Sequence, residues 1–282
     1  MAEYREQRYT AQDGLSLYYR DYGDARSHRT PVICLPGLTR NSKDFHVVAA
    51  RLAADRRVIC PDYRGRGRSD YDTNSDNYQP TTYLNDIRHL LVVSGIHRVV
   101  VLGTSFGGIL GMVMGAAMPT ALTGVIMNDV GPEVGTDGLL RILEYVRQDR
   151  PQPDWEGAIA ELKRMFPNMP GRTDEDWRMA AEGTYRAGED GMLHFDWDVR
   201  IAEAILNGPP PPDLWPLFRS LLHVPTLVLR GELSDVLTSE TLSKMKDAHP
   251  AAVTVTVPQT GHVPTLGEPE SAAAIDDFLA NF

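Results

Sequence analysis

Cysteine is scarce in this chain of 282 residues, where it occurs only twice, as Cys34 and Cys60. Each cysteine lies inside a short apolar run that is typical of a buried strand. Two isolated, buried thiols provide neither a disulfide framework nor a pair of metal ligands. We therefore expect a protein of a reducing compartment, and the cytoplasm is its predicted location.

Positive charge is also in short supply. The chain has 28 Lys and Arg residues against 38 Asp and Glu residues, which gives a net charge of −10 and a pI near 5.3. Nucleic acids and anionic membrane surfaces both require a basic protein face, so we expect neither of them as a partner. The RGRGR run at residues 64–68 is too short to reverse this expectation.

A long, unbroken hydrophobic run is missing as well. No charged residue lies between Arg98 and Asp129, but glycines, Ser105, Pro119 and Asn128 divide this stretch into short pieces. A membrane-spanning helix needs about 20 consecutive apolar residues, so we predict no membrane span. The first ten residues are polar and charged, and we expect neither a signal peptide nor a membrane anchor.

The chain does contain a regular alternation of strand-like and helix-like segments. Strands are predicted at Gln7–Gln12, Leu15–Tyr22, Pro31–Leu35, Arg57–Cys60, Val99–Leu102, Leu122–Met127, Pro225–Arg230 and Ala252–Val257. Helices are predicted at Lys43–Ala54, Thr81–Val93, Ser239–Ala248 and Glu268–Phe282, with another that ends before Pro119. This rhythm predicts an α/β fold with a mostly parallel, doubly wound sheet and helices on both faces.

Residues 131–214 interrupt the alternation. This segment lacks strand-like runs and is rich in Asp and Glu, so we predict several short helices. We interpret it as a helical cap inserted into one domain whose core consists of residues 1–130 and 215–282.

A candidate nucleophile lies at the centre of the chain. The apolar run Val99–Leu102 is followed by the pentapeptide GTSFG at residues 103–107 and then by a glycine-rich helix. A sharp strand-to-helix turn of this kind exposes a serine above the carboxyl edge of a sheet, and its glycines permit neighbouring chain to pass closely. The context therefore indicates Ser105 as a nucleophile.

A serine nucleophile needs a general base within hydrogen-bond reach. Of the eight histidines, His262 lies in the loop QTGHVP at residues 259–264, directly after a predicted strand. That position brings it to the same carboxyl edge as Ser105, where ligands bind in open α/β sheets. We therefore predict that His262 is the base.

The acid that orients the histidine has two candidates. Asp235 lies in GELSD, directly after the predicted strand Pro225–Arg230, and Asp129 follows the predicted strand Leu122–Met127. Both reach the carboxyl edge of the sheet. We favour Asp235 and retain Asp129 as the alternative.

An oxyanion hole requires two backbone N–H groups aimed at the developing negative charge. One should belong to Phe106, which follows the nucleophile. The other should belong to Leu38, because Pro36-Gly37 forces a tight turn at the end of the strand PVICL.

Taken together and in this order, the motifs resemble those of the α/β-hydrolase superfamily with a helical cap, over nearly the full chain. The matching segments are LPGL at 35–38, DYRGRGRS at 62–69, GTSFGG at 103–108, GELSD at 231–235 and GH at 261–262. The resemblance implies a Ser-Asp-His triad in that chain order, and it implies that the arginines of RGRGR brace the fold rather than bind phosphate. Many relatives have His-Gly in place of Pro36-Gly37, so no histidine role is expected there. Dehalogenase-like and epoxide-hydrolase-like relatives carry an aspartate in place of Ser105, which argues against those two chemistries.

We therefore predict a cofactor-independent and metal-independent serine hydrolase that cleaves a small ester, thioester or lactone through an acyl-enzyme. The resemblance leaves carbon–carbon bond hydrolysis and a cofactor-free haloperoxidase-like activity open. A hydrolase fold also serves as a non-catalytic small-molecule receptor, which is a third possibility. The sequence does not define the oligomeric state.

Candidate substrate-binding residues flank the predicted site. Arg40, just beyond the oxyanion loop, is a candidate for recognition of an acidic substrate, although an exposed loop arginine is the commoner case. Four aromatic residues of the predicted cap are candidates for an apolar pocket wall, although aromatic residues between short helices also simply pack together. They are Trp155, Trp177, Phe195 and Trp197.

Overall fold

The computed structural model describes residues 3–166, 168–208 and 212–282. Its strands are β1 (Tyr4–Thr10), β2 (Ser16–Tyr22), β3 (Val32–Leu35), β4 (Val58–Pro61), β5 (Val99–Thr104), β6 (Leu122–Asn128), β7 (Tyr185–Ala187), β8 (Leu193–Phe195), β9 (Thr226–Gly231) and β10 (Val253–Val257). Its α-helices are α1 (His46–Leu52), α2 (Pro80–Val93), α3 (Phe106–Ala117), α4 (Thr136–Val146), α5 (Trp155–Met165), α6 (Asp174–Thr184), α7 (Ile201–Leu206), α8 (Trp215–Arg219), α9 (Ser239–Ala248) and α10 (Pro269–Leu279). Short 3₁₀ turns lie at Ser42–Phe45 and Ser75–Asn77.

Eight of these strands form one twisted sheet in the order β1-β2-β4-β3-β5-β6-β9-β10. β2 pairs antiparallel with both β1 and β4, whereas every pairing from β4 through to β10 is parallel. The hairpin between β1 and β2 turns at Asp13-Gly14, where Gly14 has a φ of 91° that favours glycine. The prediction of a mostly parallel α/β sheet is confirmed.

The middle of the sheet is buried on both faces. Every residue of β3, β4, β5 and β9 is buried, and two apolar clusters cover the two faces. Parallel strands buried in this way read as continuous Val, Ile and Leu runs. Since β5, β6, β9 and β10 are parallel, the loops that follow them meet at one edge. All of the predicted triad residues lie in these loops.

The segment between β6 and β9 contributes α4–α8 and no strand of the central sheet in its described part. It also contains a small antiparallel hairpin, in which Tyr185 pairs with Phe195 and Ala187 with Leu193. The prediction that residues 131–214 contain only helices is therefore wrong at this hairpin, because three-residue strands are too short to show an alternating pattern. That the segment acts as a cap over the site remains a prediction.

Two aspartates of this segment attach it to the turn at residues 62–69. The Gly67 N–H donates to the Asp196 carbonyl at 3.0 Å, and the Asp198 N–H donates to the Gly65 carbonyl at 2.8 Å. Both carboxylates are buried as well. The inserted segment and the turn are therefore joined through backbone hydrogen bonds.

A histidine of the hairpin lies between two carboxylates. His194 Nδ1 is 2.6 Å from Asp149 Oδ2, and its Nε2 is 3.0 Å from Asp190 Oδ2. Hydrogen bonds to Asp149 and then to Asp190 raise the pKa of His194 above its ordinary value. The protonated form is thus the one that this arrangement stabilises.

The arginines of the RGRGR run are internal. Arg64 grips Asp86 side-on, with Nε–Oδ2 at 2.8 Å and Nη2–Oδ1 at 2.7 Å. Its remaining nitrogen, Nη1, donates to Asp13 at 2.7 Å and to Asp72 at 2.6 Å. Arg66 is fully buried. These contacts agree with the fold-bracing role that the resemblance implies.

Both cysteines are buried and unbonded, Cys34 on β3 and Cys60 on β4, which confirms their predicted core positions. Within the described ranges, no helix is long and apolar enough to cross a membrane. The same ranges contain no group of three or more His, Cys, Asp or Glu side chains arranged to hold a metal ion.

Candidate active site

Ser105 occupies the turn between β5 and α3, with a φ of 51° and a ψ of −115° that are strained for a residue with a side chain. Its N–H donates to the Asn128 carbonyl at 2.9 Å, which fixes the turn to the end of β6. A side chain at Gly103 would collide with the Gly107 carbonyl, and one at Gly107 would collide with the Leu35 carbonyl. The two glycines are therefore what allow this tight strand-to-helix turn.

His262 follows β10 and meets the serine across the sheet edge. Its Nε2 is 3.1 Å from Ser105 Oγ, and its side chain is almost completely buried. The structure thus brings Ser105 and His262 together at the edge where the sequence places both, and their catalytic roles stay a prediction. Within a hydrogen bond of the hydroxyl, the imidazole is placed to accept its proton.

The carboxylate that contacts His262 belongs to Asp129. Asp129 Oδ2 is 2.7 Å from His262 Nδ1. The same carboxylate accepts the Ser234 hydroxyl at 2.6 Å and the Gly231 N–H at 2.8 Å. With three donors on a fully buried carboxylate, Asp129 is held in one orientation.

The favoured assignment of Asp235 as the partner of His262 is therefore wrong in its geometry, and the alternative, Asp129, takes that position. The cause lies in the turn after β9. The Ser234 hydroxyl, which bonds to Asp129, also accepts the N–H groups of Val236 and Leu237. Ser234 thus fills the inner position of the turn, and the next side chain, that of Asp235, contacts Arg141 instead.

One predicted oxyanion donor, Phe106, directly follows the serine, and the other, Leu38, follows Gly37, where an added Cβ would lie 3.8 Å from Ser105 Cβ. Leu38 is in the loop after β3, and Phe106 is the first residue of α3. Both residues are half-buried, and among the described residues neither amide donates a hydrogen bond to a protein acceptor. Two free amides beside a nucleophile are the arrangement that an oxyanion hole requires.

Two residues of the DYRGRGRS motif hold the oxyanion loop in place, a contact that the sequence did not specify. Arg66 Nε donates to the Leu38 carbonyl at 2.8 Å, and the Tyr63 hydroxyl donates to the Pro36 carbonyl at 3.2 Å. The Arg66 guanidinium also lies over the ring of Tyr83, with 4.9 Å from Cζ to the ring centroid. Only their place in the DYRGRGRS motif could have suggested this role.

A narrow cleft opens next to the histidine. Its described lining residues are Arg141, Phe166, Asn168, Met169, Asp235 and His262. Phe166 and Met169 are apolar, whereas Arg141 and Asp235 form an ion pair with 2.7 Å between Nη2 and Oδ1. The cleft therefore offers one apolar wall and one charged wall within reach of the histidine.

The candidate substrate residue Arg40 does not line this cleft. Its Nε and Nη2 bond to both carboxylate oxygens of Asp44, at 2.7 Å and 2.6 Å, and its Nη1 bonds to the Thr184 hydroxyl. Arg40 therefore links the oxyanion loop to the inserted segment. Recognition of an acidic substrate by Arg40 stays a prediction.

The four predicted aromatic residues pack within the inserted segment and are not among the cleft residues. Phe195 and Trp197 stack with 4.0 Å between their ring centroids. Trp177 is buried with the Arg172 guanidinium 5.1 Å from its ring, and Trp155 is half-buried at the start of α5. The simpler alternative, that these residues pack the segment, describes all four.

Comparison with known proteins defines the class. The family model of the alpha/beta hydrolase family matches residues 32–275. The chain therefore belongs to the alpha/beta hydrolase family, and it is a hydrolase of that fold. The family resemblance drawn from the sequence motifs is confirmed.

Particular relatives cover almost the whole chain. A 3-hydroxybutyrate-oligomer hydrolase of Cupriavidus necator is 32% identical, over 93% of this chain and 92% of its own length. A 2-(acetamidomethylene)succinate hydrolase of Mesorhizobium japonicum is 26% identical, over 86% of this chain and 85% of its own length. The crystal structure of an alpha/beta hydrolase from Novosphingobium aromaticivorans is 45% identical and covers 100% of both chains, with a TM-score of 0.93.

Proposed function

We propose that Ser105, His262 and Asp129 form the catalytic triad of a serine hydrolase that cleaves small esters. The observation that carries this proposal is the unbroken hydrogen-bond chain from Asp129 through His262 to Ser105. A serine hydroxyl is a weak nucleophile at neutral pH, and this chain supplies both its base and the group that orients the base.

In the first half of the reaction, Ser105 Oγ attacks the ester carbonyl carbon while its proton passes to His262 Nε2. Asp129 holds the Nδ1–H of His262 and stabilises the imidazolium that forms. The negative charge that develops on the carbonyl oxygen is stabilised by the N–H groups of Leu38 and Phe106.

In the second half, the tetrahedral intermediate collapses and the leaving alkoxide takes the proton from His262 Nε2. The acyl group then remains on Ser105 Oγ as an ester. A water molecule attacks this ester while His262 accepts its proton, and the collapse of the second intermediate returns the proton to Ser105 Oγ. The products are a carboxylic acid and an alcohol, and the triad is restored.

For the substrate we infer a short ester of a hydroxy acid, with thioesters and lactones as further substrates. The relative from Cupriavidus necator supports this choice. It aligns with this chain over almost its full length, and its name describes hydrolysis of 3-hydroxybutyrate oligomers. The cleft beside His262 is narrow and has a charged pair, Arg141 and Asp235, on one wall, which supports a short substrate with a polar end. The linear dimer of 3-hydroxybutyrate is the first substrate to test, beside 4-nitrophenyl esters of increasing chain length.

The test combines covalent labelling with turnover. A fluorophosphonate probe should label wild type at Ser105, as located by peptide mass spectrometry, and Ser105→Ala should abolish both labelling and hydrolysis. Removal of the nucleophile costs about 10⁶-fold in turnover in a well-studied serine protease. Ser239→Ala changes an exposed serine at the start of α9 and serves as the matched control. A folded wild type that is neither labelled nor active would refute the proposal and favour a non-catalytic receptor.

A further inference from the structure

Arg141 projects from α4 to the wall of the cleft beside His262. It grips Asp235 side-on, with Nε–Oδ2 at 3.0 Å and Nη2–Oδ1 at 2.7 Å. Asp235 lies on the turn after β9, which the sheet holds in place. The ion pair therefore fixes the guanidinium plane relative to the catalytic edge.

The third nitrogen of this guanidinium has no partner among the described residues. Arg141 Nη1 is buried from solvent and makes no hydrogen bond there. Because Nε and Nη2 face Asp235, the planar geometry of the group directs Nη1 away from that carboxylate. A buried donor without an acceptor is costly, so a ligand atom that accepts a hydrogen bond from Nη1 would be favoured at this position.

Arg64 in the same protein shows what such a nitrogen binds. Arg64 also grips one carboxylate, that of Asp86, through Nε and Nη2. Its Nη1 is occupied by two further carboxylates, from Asp13 and Asp72, at 2.7 Å and 2.6 Å. One guanidinium in this chain thus binds several carboxylates at once, whereas Arg141 Nη1 has no hydrogen-bond acceptor among the residues that the structure describes.

We propose that Arg141 Nη1 binds a free carboxylate of the ester substrate and so makes this enzyme selective for esters that carry an acid group. This inference rests on the proposed hydrolase function and names the substrate class of that same site. Phe166 lies over the guanidinium, with 5.5 Å from its ring centroid to Arg141 Cζ, and shields the ion pair from water. His262 lines the same cleft as Arg141, and its Nε2 is 3.1 Å from Ser105 Oγ, so the proposed carboxylate site adjoins the residue that activates the serine.

The test compares two substrates that differ only at this group. They are the linear dimer of 3-hydroxybutyrate and its methyl ester, and cleavage of the internal ester is followed by chromatography of the products. Wild type should prefer the acid by about 10- to 100-fold in kcat/KM, since a hydrogen bond to a charged group contributes that much. Arg141→Gln should bring the acid-to-ester ratio close to one, and Arg141→Lys should retain part of the preference through its charge.

Arg147→Gln is the matched control, because it removes the same charge from an exposed position at the end of the same helix. Its acid-to-ester ratio should equal that of wild type. A wild-type ratio near one would overturn the proposal even if a variant failed to fold. A ratio that Arg141→Gln leaves unchanged would overturn it as well. Absence of both hydrolysis and Ser105 labelling would instead refute the proposed hydrolase function.

Discussion

The sharpest prediction concerns Asp129, whose replacement by asparagine preserves the side-chain shape and removes the charge. Of the three donors around the Asp129 carboxylate, the Gly231 N–H is fixed and can only donate. The Ser234 hydroxyl can rotate, and the His262 imidazole can change tautomer, so both of these groups can become acceptors. The asparagine oxygen should therefore face Gly231, and its NH₂ group should face His262.

An NH₂ group that donates to Nδ1 leaves the proton of neutral His262 on Nε2, where it can no longer accept the proton of Ser105. The same change in a Ser-His-Asp protease lowers turnover about 10⁴-fold, which corresponds to ~5.5 kcal/mol in activation free energy. Asp235→Asn is the isosteric control and should lower kcat by less than about tenfold on a neutral 4-nitrophenyl ester. The assay is steady-state hydrolysis, with circular dichroism to verify folding. A larger loss in Asp235→Asn than in Asp129→Asn would transfer the acid role to Asp235 and refute this reasoning.

Three further predictions concern the scaffold. Gly107→Ala should lower the free energy of unfolding by about 3 kcal/mol or more and abolish activity, because the added methyl group would collide with the backbone of Leu35. Gly111→Ala, in the same helix, should change the free energy of unfolding by about 1 kcal/mol or less, as measured by chemical denaturation. Arg64→Gln should cost about 3–5 kcal/mol in the same assay, because it leaves the buried Asp86 carboxylate unpaired; a cost below 1 kcal/mol would contradict the bracing role. The raised pKa of His194 implies stabilisation that is complete below about pH 6.5 and is lost as the pH rises through that raised pKa. His194→Gln should therefore destabilise the protein more at pH 5 than at pH 8 in thermal unfolding, and equal losses at the two pH values would count against this ion pair.

Much of the fold and the two reacting residues could be predicted because strong local signals coincide with the topology. The pentapeptide at residues 103–107 has a buried strand before it and a helix after it, so the position of Ser105 follows from chain geometry. His262 follows a strand directly and lies next to a glycine. In both cases the end of a parallel strand determines the edge at which the side chain lies.

The acid could not be settled in the same way, because Asp129 and Asp235 both follow strands that end at this edge. The choice between them depends on which side chain of the turn at residues 231–235 points towards the histidine. In the structure the Ser234 hydroxyl takes that inner position and bonds to Asp129, so Asp235 does not reach His262. Arg141 was missed for a related reason, since it lies on a helix of the inserted segment, far in sequence from every motif. Its importance follows only from its contact with Asp235 across 94 positions of the chain.

The turn at residues 62–69 contacts two other parts of the molecule. The Arg66 side chain donates a hydrogen bond to the loop of Leu38. The backbone of the same turn is hydrogen-bonded to Asp196 and Asp198 of the inserted segment. If the inserted segment covers the site as predicted, a substrate too large for the cleft requires that segment to move, and the motion would displace the same turn that positions the Leu38 loop. Bulky substrates should therefore have a lower rate of the chemical step as well as weaker binding, so that substrate size affects kcat and not only KM.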